Sequence, residues 1–374
     1  MDKINMVDVK SQYDKIKSEI DAGIQEVINS TSFINGPAVK RFAKNLGNYL
    51  GTEHVIPCGN GTDALQIAMM ALDLKPGDEV IVPAFTYVAT AEVIALLGLK
   101  PVMVDVSPDS FNMTADVFLG ALSPKTKAVV PVNLYGQCAE LEQIMEIAES
   151  HSVYVIEDNA QAIGADYIKS DGSKVKAGLI GHIGTTSFYP SKNLGAYGDG
   201  GAIYTKDADL AAKMKMVANH GQTKKYVHDI IGCNSRLDSI QAAILDVKLK
   251  YLDQYCSARQ SVAKSYNKHF EKLEDVKIPE EMPYSTHVYH QYTLKVTNGR
   301  RDALKSFLAE NNIPSMIYYP IPLYKQAAFN QFTEINFLPE TEILCQEVIS
   351  LPIHTEMNQD TIDYIADKVK TFFN

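Results

Sequence analysis

The stretch EVIVPAFTYVATAEVIALLGLKPVMVDV, residues 79–106, decides the fold class. It begins with an apolar run at Glu79–Pro83, continues with helical spacing over Val88–Leu97 and ends with a second apolar run at Pro101–Val106. Successive residues of both runs are apolar, which is typical of parallel strands that are covered by helices on both faces. The stretch therefore predicts a strand–helix–strand unit of an α/β domain.

The same alternation extends over residues 54–205. The other predicted strands are His54–Cys58, Ala128–Asn133, Val153–Ile156, Thr185–Phe188 and Gly201–Thr205, and the other predicted helices are Thr62–Leu72 and Leu141–Ser150. Strands that alternate with helices imply a mostly parallel sheet, here of seven strands, between two layers of helices.

The two ends of the chain have a different pattern of apolar and charged residues. An apolar stripe at helical spacing predicts an amphipathic first helix through Tyr13, Ile16, Ile20, Ile24 and Val27. Beyond residue 250 the sequence becomes more charged, and we expect helices at Leu252–Leu273, Arg301–Asn311 and Thr361–Phe373 and a strand at Tyr289–Val296. We therefore expect a large α/β domain over residues 1–250 and a smaller α+β domain over residues 251–374, although no linker marks the boundary.

Composition narrows the function classes. The chain has 374 residues and a net charge of −10, which argues against nucleic acid or an anionic membrane as the main partner. No run approaches the roughly 18 apolar residues of a membrane span, and acidic residues stand where a signal peptide has its apolar segment, so we expect a cytoplasmic protein. The five cysteines have no CxxC spacing, which indicates neither disulfides nor a metal site.

A first candidate site motif is CGNGTDAL, residues 58–65, which lies between a predicted strand and a predicted helix. Gly61 allows close approach of an anion, the first amides of the helix are free to donate, and the Thr62 hydroxyl adds a donor. The motif lacks the lysine of a P-loop and the GxGxxG of a dinucleotide site. It predicts a site for one phosphate; the alternative is a plain turn with Thr62 as helix cap.

A second motif is VYVIEDNAQ, residues 153–161, in which an apolar strand ends on two carboxylates. A buried carboxylate at a strand tip needs a cation or strong donors. A protonated pyridine nitrogen would serve at Asp158, and helix capping by Asp158 is the alternative.

The third motif is TSFYPSKNLG, residues 186–195. Lys192 alone would be an ordinary surface lysine on a loop. Ser187, however, precedes it by five residues and offers another hydroxyl for a phosphate, and both follow a strand of the same sheet. Ligands of parallel sheets bind beyond the carboxyl ends of the strands, so the three motifs together favour one site.

In their order and spacing, these motifs resemble the sugar-nucleotide aminotransferases of the DegT and StrS group, which are fold type I enzymes dependent on pyridoxal 5'-phosphate (PLP). The resemblance covers essentially the whole chain. It includes the segments FINGP (residues 33–37), PAFTYVAT (83–90), LYG (134–136) and NSRLD (234–238), the last followed by IQAA (240–243).

The resemblance implies a role for each motif residue. Lys192 would bind PLP covalently and move a proton during catalysis, and Asp158 would pair with the pyridine nitrogen. The phosphate would be held by Gly61, Thr62, Ser187 and, from the partner subunit of a homodimer, Asn234. Tyr87 would stack on one face of the ring, with Phe85 or a plain core role for Tyr87 as alternatives, and Gln161 and Ala160 would lie against the other face.

For the substrate, NSRLD at residues 234–238 resembles the subgroup that aminates sugars at C3. The implied partners are L-glutamate as amino donor and a UDP-linked 3-keto-2-acetamido-2-deoxy uronic acid, an intermediate of bacterial surface-polysaccharide (lipopolysaccharide) biosynthesis. The implied substrate-binding residues are Arg236, Tyr319 and His228. Arg236 is the candidate for a substrate carboxylate or phosphate, because a guanidinium group can pair with both oxygens, and an ion pair at an interface is its alternative role. Relatives often carry histidine where this chain has Asn133 and Tyr318, and histidine or phenylalanine where it has Ile163, which leaves the sugar's substituents open.

Three alternatives stay open. A PLP-dependent sugar dehydratase of the same fold usually has histidine in place of the catalytic lysine, so Lys192 argues against it. Amination at C4 is disfavoured by the NSRLD segment. A non-catalytic regulatory or binding protein would be expected to lack Lys192 or Asp158, and both are present.

Overall fold

A seven-stranded sheet forms the centre of the protein, as the sequence predicts. The computed structural model describes residues 3–332 and 337–373. The strands of this sheet are β1 (His54–Cys58), β2 (Glu79–Pro83), β3 (Lys100–Val104), β4 (Thr126–Val129), β5 (Tyr154–Asp158), β8 (Ile183–Ser187) and β9 (Gly201–Thr205). β1, β2 and β9 have the predicted bounds, and the other four differ by one to four residues at an end.

The strand order is β1-β9-β8-β5-β4-β2-β3. All neighbouring pairs are parallel except those of β9, which runs antiparallel to both β8 and β1. β1, β2, β5 and β8 consequently share one direction, and their carboxyl ends meet at one edge of the sheet. Each of the candidate motifs includes residues at that edge, where α/β sheets bind their ligands.

Helices cover the sheet. They are α1 (Val9–Ser30), α2 (Pro37–Leu50), α3 (Gly61–Ala71), α4 (Ala89–Leu96), α5 (Ala115–Ala121), α6 (Leu141–Ser150), α7 (Ala208–Ala218), α8 (Ser239–Leu249), α9 (Leu252–Phe270), α10 (Arg301–Glu310), α11 (Pro339–Glu347) and α12 (Gln359–Phe373). The sequence did not predict α2, α5, α7, α8 or α11. α8 is buried on nearly all sides and therefore lacks a clear polar stripe, and the seven residues of α5 are too few to establish a period.

The remaining strands are small. Two hairpins consist of β6 (Asp166–Ile168) with β7 (Lys174–Lys176) and β10 (Gln222–Lys224) with β11 (Val227–His228). A three-stranded antiparallel sheet contains β12 (Val276–Lys277), β13 (Tyr292–Val296) and β14 (Val348–Leu351).

The C-terminal sheet has a hydrophobic core of its own with α9, α10 and α12. This core supports the expected smaller domain after residue 250, but the separation along the chain is incomplete. Ile4 packs on the C-terminal core, whereas Leu323, Tyr324 and Phe329 pack on the core of the large sheet. The boundary at residue 250 stays a prediction.

Within residues 3–332 and 337–373, no helix combines the length and apolarity needed to cross a membrane. In the same residues, no group of three or more His, Cys, Asp and Glu side chains is arranged to hold a metal ion. All five cysteines are free thiols, and four of them are buried.

Candidate active site

A cavity of about 700 Å³ lies at the carboxyl edge of the large sheet. Nine of the residues singled out in the sequence line it: Gly61, Thr62, Tyr87, Asp158, Ala160, Gln161, Ser187, Lys192 and Tyr319. They come from the loops that follow β1, β2, β5 and β8 and from the segment before residue 323. The structure thus brings the three motifs into one site.

The first motif places the start of α3 at the cavity. Asn60, and not Thr62, is the N-cap residue, because its side-chain oxygen accepts a hydrogen bond from the Asp63 amide at 2.8 Å. Thr62 is therefore not the cap of α3, contrary to the alternative interpretation of this motif. The Thr62 side chain is free to serve the cavity, where the helix start adds a positive partial charge.

Gly61 and Ser187 lie against each other across the cavity wall. A Cβ atom on Gly61 would come within 2.8 Å of the Ser187 Cβ, closer than real Cβ atoms approach one another. Only glycine lets the helix start approach this hydroxyl. Backbone amides at a helix start together with the Thr62 and Ser187 hydroxyls suit a phosphate group, so these residues fit the phosphate of PLP.

Asp158 is a buried carboxylate at the tip of β5. Its Oδ1 accepts a hydrogen bond from the Ala160 amide at 3.1 Å, and its Oδ2 accepts one from the Thr90 hydroxyl at 2.8 Å. Burial raises the pKa of Asp158, and the Thr90 and Ala160 bonds and the charge of Lys192 oppose that rise. No helix begins in residues 159–165, so the helix-cap interpretation of Asp158 is wrong. The carboxylate is placed to pair with a cation in the cavity.

Lys192 lies in a turn whose backbone is closed by a hydrogen bond from its amide to the Tyr189 carbonyl at 2.8 Å. Its side chain lines the cavity, and the surface-loop interpretation is therefore wrong. Desolvation lowers the pKa of Lys192 to about 8, although the charge of Asp158 acts in the opposite direction. An amine with such a pKa is partly uncharged near neutral pH and can react with a carbonyl carbon.

The aromatic candidates differ in accessibility. Tyr87 is 57% exposed and lines the cavity, with its ring centre 6.2 Å from that of Tyr319. Phe85 is 1% exposed, packs in a buried aromatic cluster and does not line the cavity. Of the two, Tyr87 is the residue placed to stack on a bound ring.

Gln161 joins two aromatic residues of the cavity wall. Its side-chain oxygen accepts a hydrogen bond from the Tyr135 amide at 2.8 Å, and its side-chain nitrogen donates one to the Tyr319 hydroxyl at 3.2 Å. The amide is therefore held in one orientation, beside Ala160.

Three predicted residues lie outside the cavity formed by one chain: Asn234, Arg236 and His228. Arg236 donates hydrogen bonds to Asn234 and to the side-chain oxygen of Asn219. His228 is exposed on the β10–β11 hairpin, with its Nδ1 2.8 Å from the His220 carbonyl oxygen. These residues do not contribute to the site of their own chain, and their predicted roles require a second copy.

Several cavity residues had no role in the sequence prediction: Tyr189, Asp199, His290 and Gln291 line the cavity, and Thr90 binds Asp158 behind it. Tyr189 lies within the third motif and Thr90 within residues 83–90, but the sequence pattern assigned no role to any of these five residues. Of the positions that differ from relatives, Tyr318 lines the cavity, whereas Asn133 and Ile163 are fully buried elsewhere. Asn133 binds Asn159 and the Ala139 amide, so it has no direct bearing on the sugar.

Comparison with known proteins extends these observations over the whole chain. The model of the DegT/DnrJ/EryC1/StrS aminotransferase family matches residues 14–370. The chain is 43% identical to the pleiotropic regulatory protein of Geobacillus stearothermophilus, covering 99% of this chain and 98% of that protein. It is 42% identical to the UDP-2-acetamido-2-deoxy-3-oxo-D-glucuronate aminotransferase of Pseudomonas aeruginosa, covering 97% and 98%.

A third relative is the UDP-N-acetyl-3-dehydro-alpha-D-glucosamine 3-aminotransferase of Acidithiobacillus ferrooxidans, 41% identical over 98% of this chain and 97% of that one. Among solved structures, NtdA of Bacillus subtilis with the bound cofactor PMP superimposes with a TM-score of 0.91 at 30% identity, covering 100% of this chain and 86% of that one. The architecture is that of the fold type I enzymes, as the sequence predicts.

Proposed function

Because the chain belongs to the DegT/DnrJ/EryC1/StrS aminotransferase family, we propose that it transfers an amino group from L-glutamate to C3 of a UDP-linked 3-ketosugar, with PLP as cofactor. The convergence of Lys192, Asp158 and the Gly61–Ser187 contact on one cavity is the observation that most directly supports this chemistry. The product would be an aminosugar for bacterial surface polysaccharide.

Each part of the cavity has a task in this proposal. Bound PLP supplies an electron-poor ring that stabilises negative charge on the carbon next to an attached amine. The Lys192 amine would hold the cofactor covalently and, once the donor amine has displaced it, would take a proton from the α-carbon of the donor and deliver it to the C4' carbon of the cofactor. Asp158 keeps the ring nitrogen protonated, and the start of α3 with Ser187 holds the phosphate.

The two sugar-modifying relatives support amination at C3. Their names specify a 3-oxo and a 3-dehydro sugar, both linked to UDP and both bearing an acetylated amine. The sugars differ at C6, where a glucuronate has a carboxylate and a glucosamine a hydroxyl group. C3 amination is therefore the shared feature, and C6 is the position at which this chain's preference has to be measured.

The charge of the cavity supports a shared active site. Among the described residues that line it, Lys192 is the sole lysine or arginine, while Asp63, Asp158 and Asp199 are acidic. Glutamate and a UDP-sugar are both anions and need more positive charge than one chain supplies. We infer that Arg236 of a second copy provides it, with His228 of the same copy as a further hydrogen-bonding group, in a homodimer with two composite sites.

The exposed surface near the hairpin is consistent with such a dimer. Tyr226 lies in the turn of the hairpin that contains His228 and is 80% exposed, and Ile231 follows the hairpin and is 86% exposed. Large apolar side chains that protrude in this way commonly mark contacts between proteins.

A regulatory function is the second candidate, because one relative is named a pleiotropic regulatory protein. A binding protein has no need of a desolvated lysine opposite a buried carboxylate. The presence of Lys192 and Asp158 in the cavity therefore favours catalysis, and Lys192 also disfavours the dehydratase alternative.

The test is an amination assay with ¹⁵N-labelled glutamate and a panel of UDP- and dTDP-linked 3-keto and 4-keto sugars, with and without a C6 carboxylate. We expect label in the product of a UDP-linked 3-ketosugar, the highest kcat/KM within the panel, and no product from Lys192→Ala. Preferred amination of a 4-ketosugar would contradict the C3 assignment. Loss of a sugar hydroxyl without label would favour the dehydratase, and no turnover of any sugar by PLP-loaded protein would favour the regulatory alternative.

A further inference from the structure

The Thr90 hydroxyl group donates its proton to the Asp158 carboxylate. Thr90 is fully buried in the first turn of α4, and its Oγ1 donates to the Asp158 Oδ2 at 2.8 Å across 68 positions of sequence. α4 has no side-chain cap, so the hydroxyl is not used to start its own helix. Because the hydroxyl is buried and bonds one carboxylate, its O–H points in one direction. The β-branched side chain of threonine also restricts the rotation of the hydroxyl about the Cα–Cβ bond.

A second hydroxyl lies behind the first. The Thr86 Oγ1 is 3.5 Å from the Thr90 Oγ1, and Thr86 lines the cavity. Because the single proton of Thr90 is used on Asp158, Thr86 is the donor when this pair is bonded. The two threonines thus point their dipoles in one direction, towards the carboxylate, which strengthens the bond that Asp158 accepts.

We propose that Thr90 is the positioning residue that keeps Asp158 ionised and fixes the orientation of its carboxylate towards the ring nitrogen of the cofactor. The inference rests on the proposed PLP-dependent function. The Asp158 carboxylate accepts two hydrogen bonds from the described residues, from Thr90 and from the Ala160 amide, so removal of the hydroxyl removes half of them. Without it, a carboxylate in so dry a site takes up a proton more readily.

Other charged and titratable groups also face Asp158. Lys192 approaches from the loop after β8, Tyr204 from β9 and Tyr319 from the segment before residue 323. Of these only Lys192 favours the charged form of Asp158, and covalent attachment of the cofactor occupies that amine. Among the contributions that lower the pKa of Asp158, the Thr90 hydrogen bond is the largest, followed by that of Ala160.

The experiment compares Thr90→Val, which has nearly the same shape but no hydroxyl, with Thr90→Ser, which keeps the hydroxyl. The PLP-loaded full-length proteins are titrated from pH 5 to pH 9 by the visible absorbance of the cofactor, and PLP affinity is measured by equilibrium dialysis. The midpoint of the absorbance change at the acidic end of the titration reports protonation of Asp158. We expect Thr90→Val to raise this midpoint by about one pH unit and to weaken PLP binding about tenfold. Thr90→Ser should stay close to wild type in both measurements.

The same substitution in an Asp158→Asn background separates this role from a structural one. There we expect Thr90→Val to have no further effect on the titration or on PLP affinity, because no carboxylate remains to be ionised. Unchanged behaviour of Thr90→Val, or equal effects in both backgrounds, would overturn the proposal. If Thr90→Val does not fold, Thr90→Ala provides the same comparison. If the wild-type protein shows no PLP absorbance at all, the proposed function itself fails.

Discussion

The carboxylates of Glu157 and Asp158 are adjacent in sequence and point to opposite sides of the sheet. Successive residues of a strand alternate in direction, and β5 ends on both. Glu157 is fully buried and accepts hydrogen bonds from the amides of Gly178, Ile180 and Gly181 at 2.7, 2.6 and 2.5 Å. Asp158 faces the cavity. One carboxylate thus fixes the chain before β8, and the other is available for chemistry.

We predict that Asp158→Asn and Glu157→Gln separate these two roles. Asp158→Asn should reduce kcat by roughly 100-fold or more, because a neutral amide cannot hold the ring nitrogen protonated. Glu157→Gln should lower the free energy of unfolding by about 1–3 kcal/mol, because its amide group faces a backbone N–H where an acceptor is needed.

The two readouts are steady-state kinetics and denaturant unfolding of both variants, loaded with PLP. We expect Asp158→Asn to keep nearly all of its stability and folded Glu157→Gln to keep most of its kcat. A reversed pattern, with Glu157→Gln folded and catalytically inactive, would contradict this division of roles.

The reaction of apoenzyme with PLP should depend on pH through Lys192. Its pKa is lowered to about 8 by desolvation, and the uncharged amine is the reactive form. The rate constant for appearance of visible cofactor absorbance should therefore rise with pH and level off above a midpoint near 8. A midpoint near 10.5, the ordinary value, would show that Lys192 is solvated in the apoenzyme.

Lys248 is a second buried lysine, outside the cavity. It is 1% exposed, donates a hydrogen bond to the Gly195 carbonyl at 2.6 Å and lies 5.1 Å from the ring centre of Tyr197. Burial lowers its pKa from 10.5 to about 7, and the nearby charge of Arg259 adds to that effect. Between these values the unfolded chain binds more protons than the folded one, so the free energy of unfolding rises with pH.

Lys248→Met should remove that dependence. We take the free energy of unfolding of the variant minus that of the wild type, measured by denaturant unfolding at pH 7 and at pH 10. We expect this difference to be larger at pH 7 than at pH 10 by more than about 1 kcal/mol. The visible absorbance of bound PLP should be retained, which makes Lys248→Met the control for variants of Lys192. An identical difference from wild type at both pH values would show that Lys248 remains charged when buried.

The main elements of the sheet could be predicted from sequence because both faces of its strands are buried. After their first residues, His54 and Glu79, β1 and β2 are apolar and end close to turn residues. α8 could not be predicted, because burial on nearly all sides erases the polar face that a helical period needs. Thr62 was only the alternative cap of α3, and the sequence could not distinguish it from Asn60, which forms the cap, since both residue types suit that position.

The sequence identified candidate site residues at the ends of predicted strands. These residues lie together because the strands that carry them run in the same direction and end at one edge of the sheet. Thr90 was not identified, because its contact with Asp158 spans 68 residues and depends on side-chain direction. Asn234 and Arg236 were assigned by family resemblance alone, and the fold of one chain leaves them outside the cavity.

The shared site makes a prediction for mixed dimers. Asn234→Ala and Lys192→Ala proteins, each weakly active or inactive at limiting PLP, should regain activity when they are denatured together and refolded. If Asn234 serves the partner's site, each hybrid dimer has one site with both defects and one intact site. About a quarter of wild-type activity should then return from an equal mixture. No recovery, with hybrid dimers verified by mass spectrometry, would place Asn234 in the site of its own chain.

Identification of the lysine that binds the cofactor decides whether Lys192 is the site of attachment. The PLP-loaded protein is reduced with borohydride, which makes the link between lysine and cofactor permanent, and is then digested and mapped by mass spectrometry. Our account predicts one phosphopyridoxyl group, on Lys192, in wild type and in Lys248→Met, and none in Lys192→Ala. A label on another lysine, or an unlabelled wild-type protein, would contradict it.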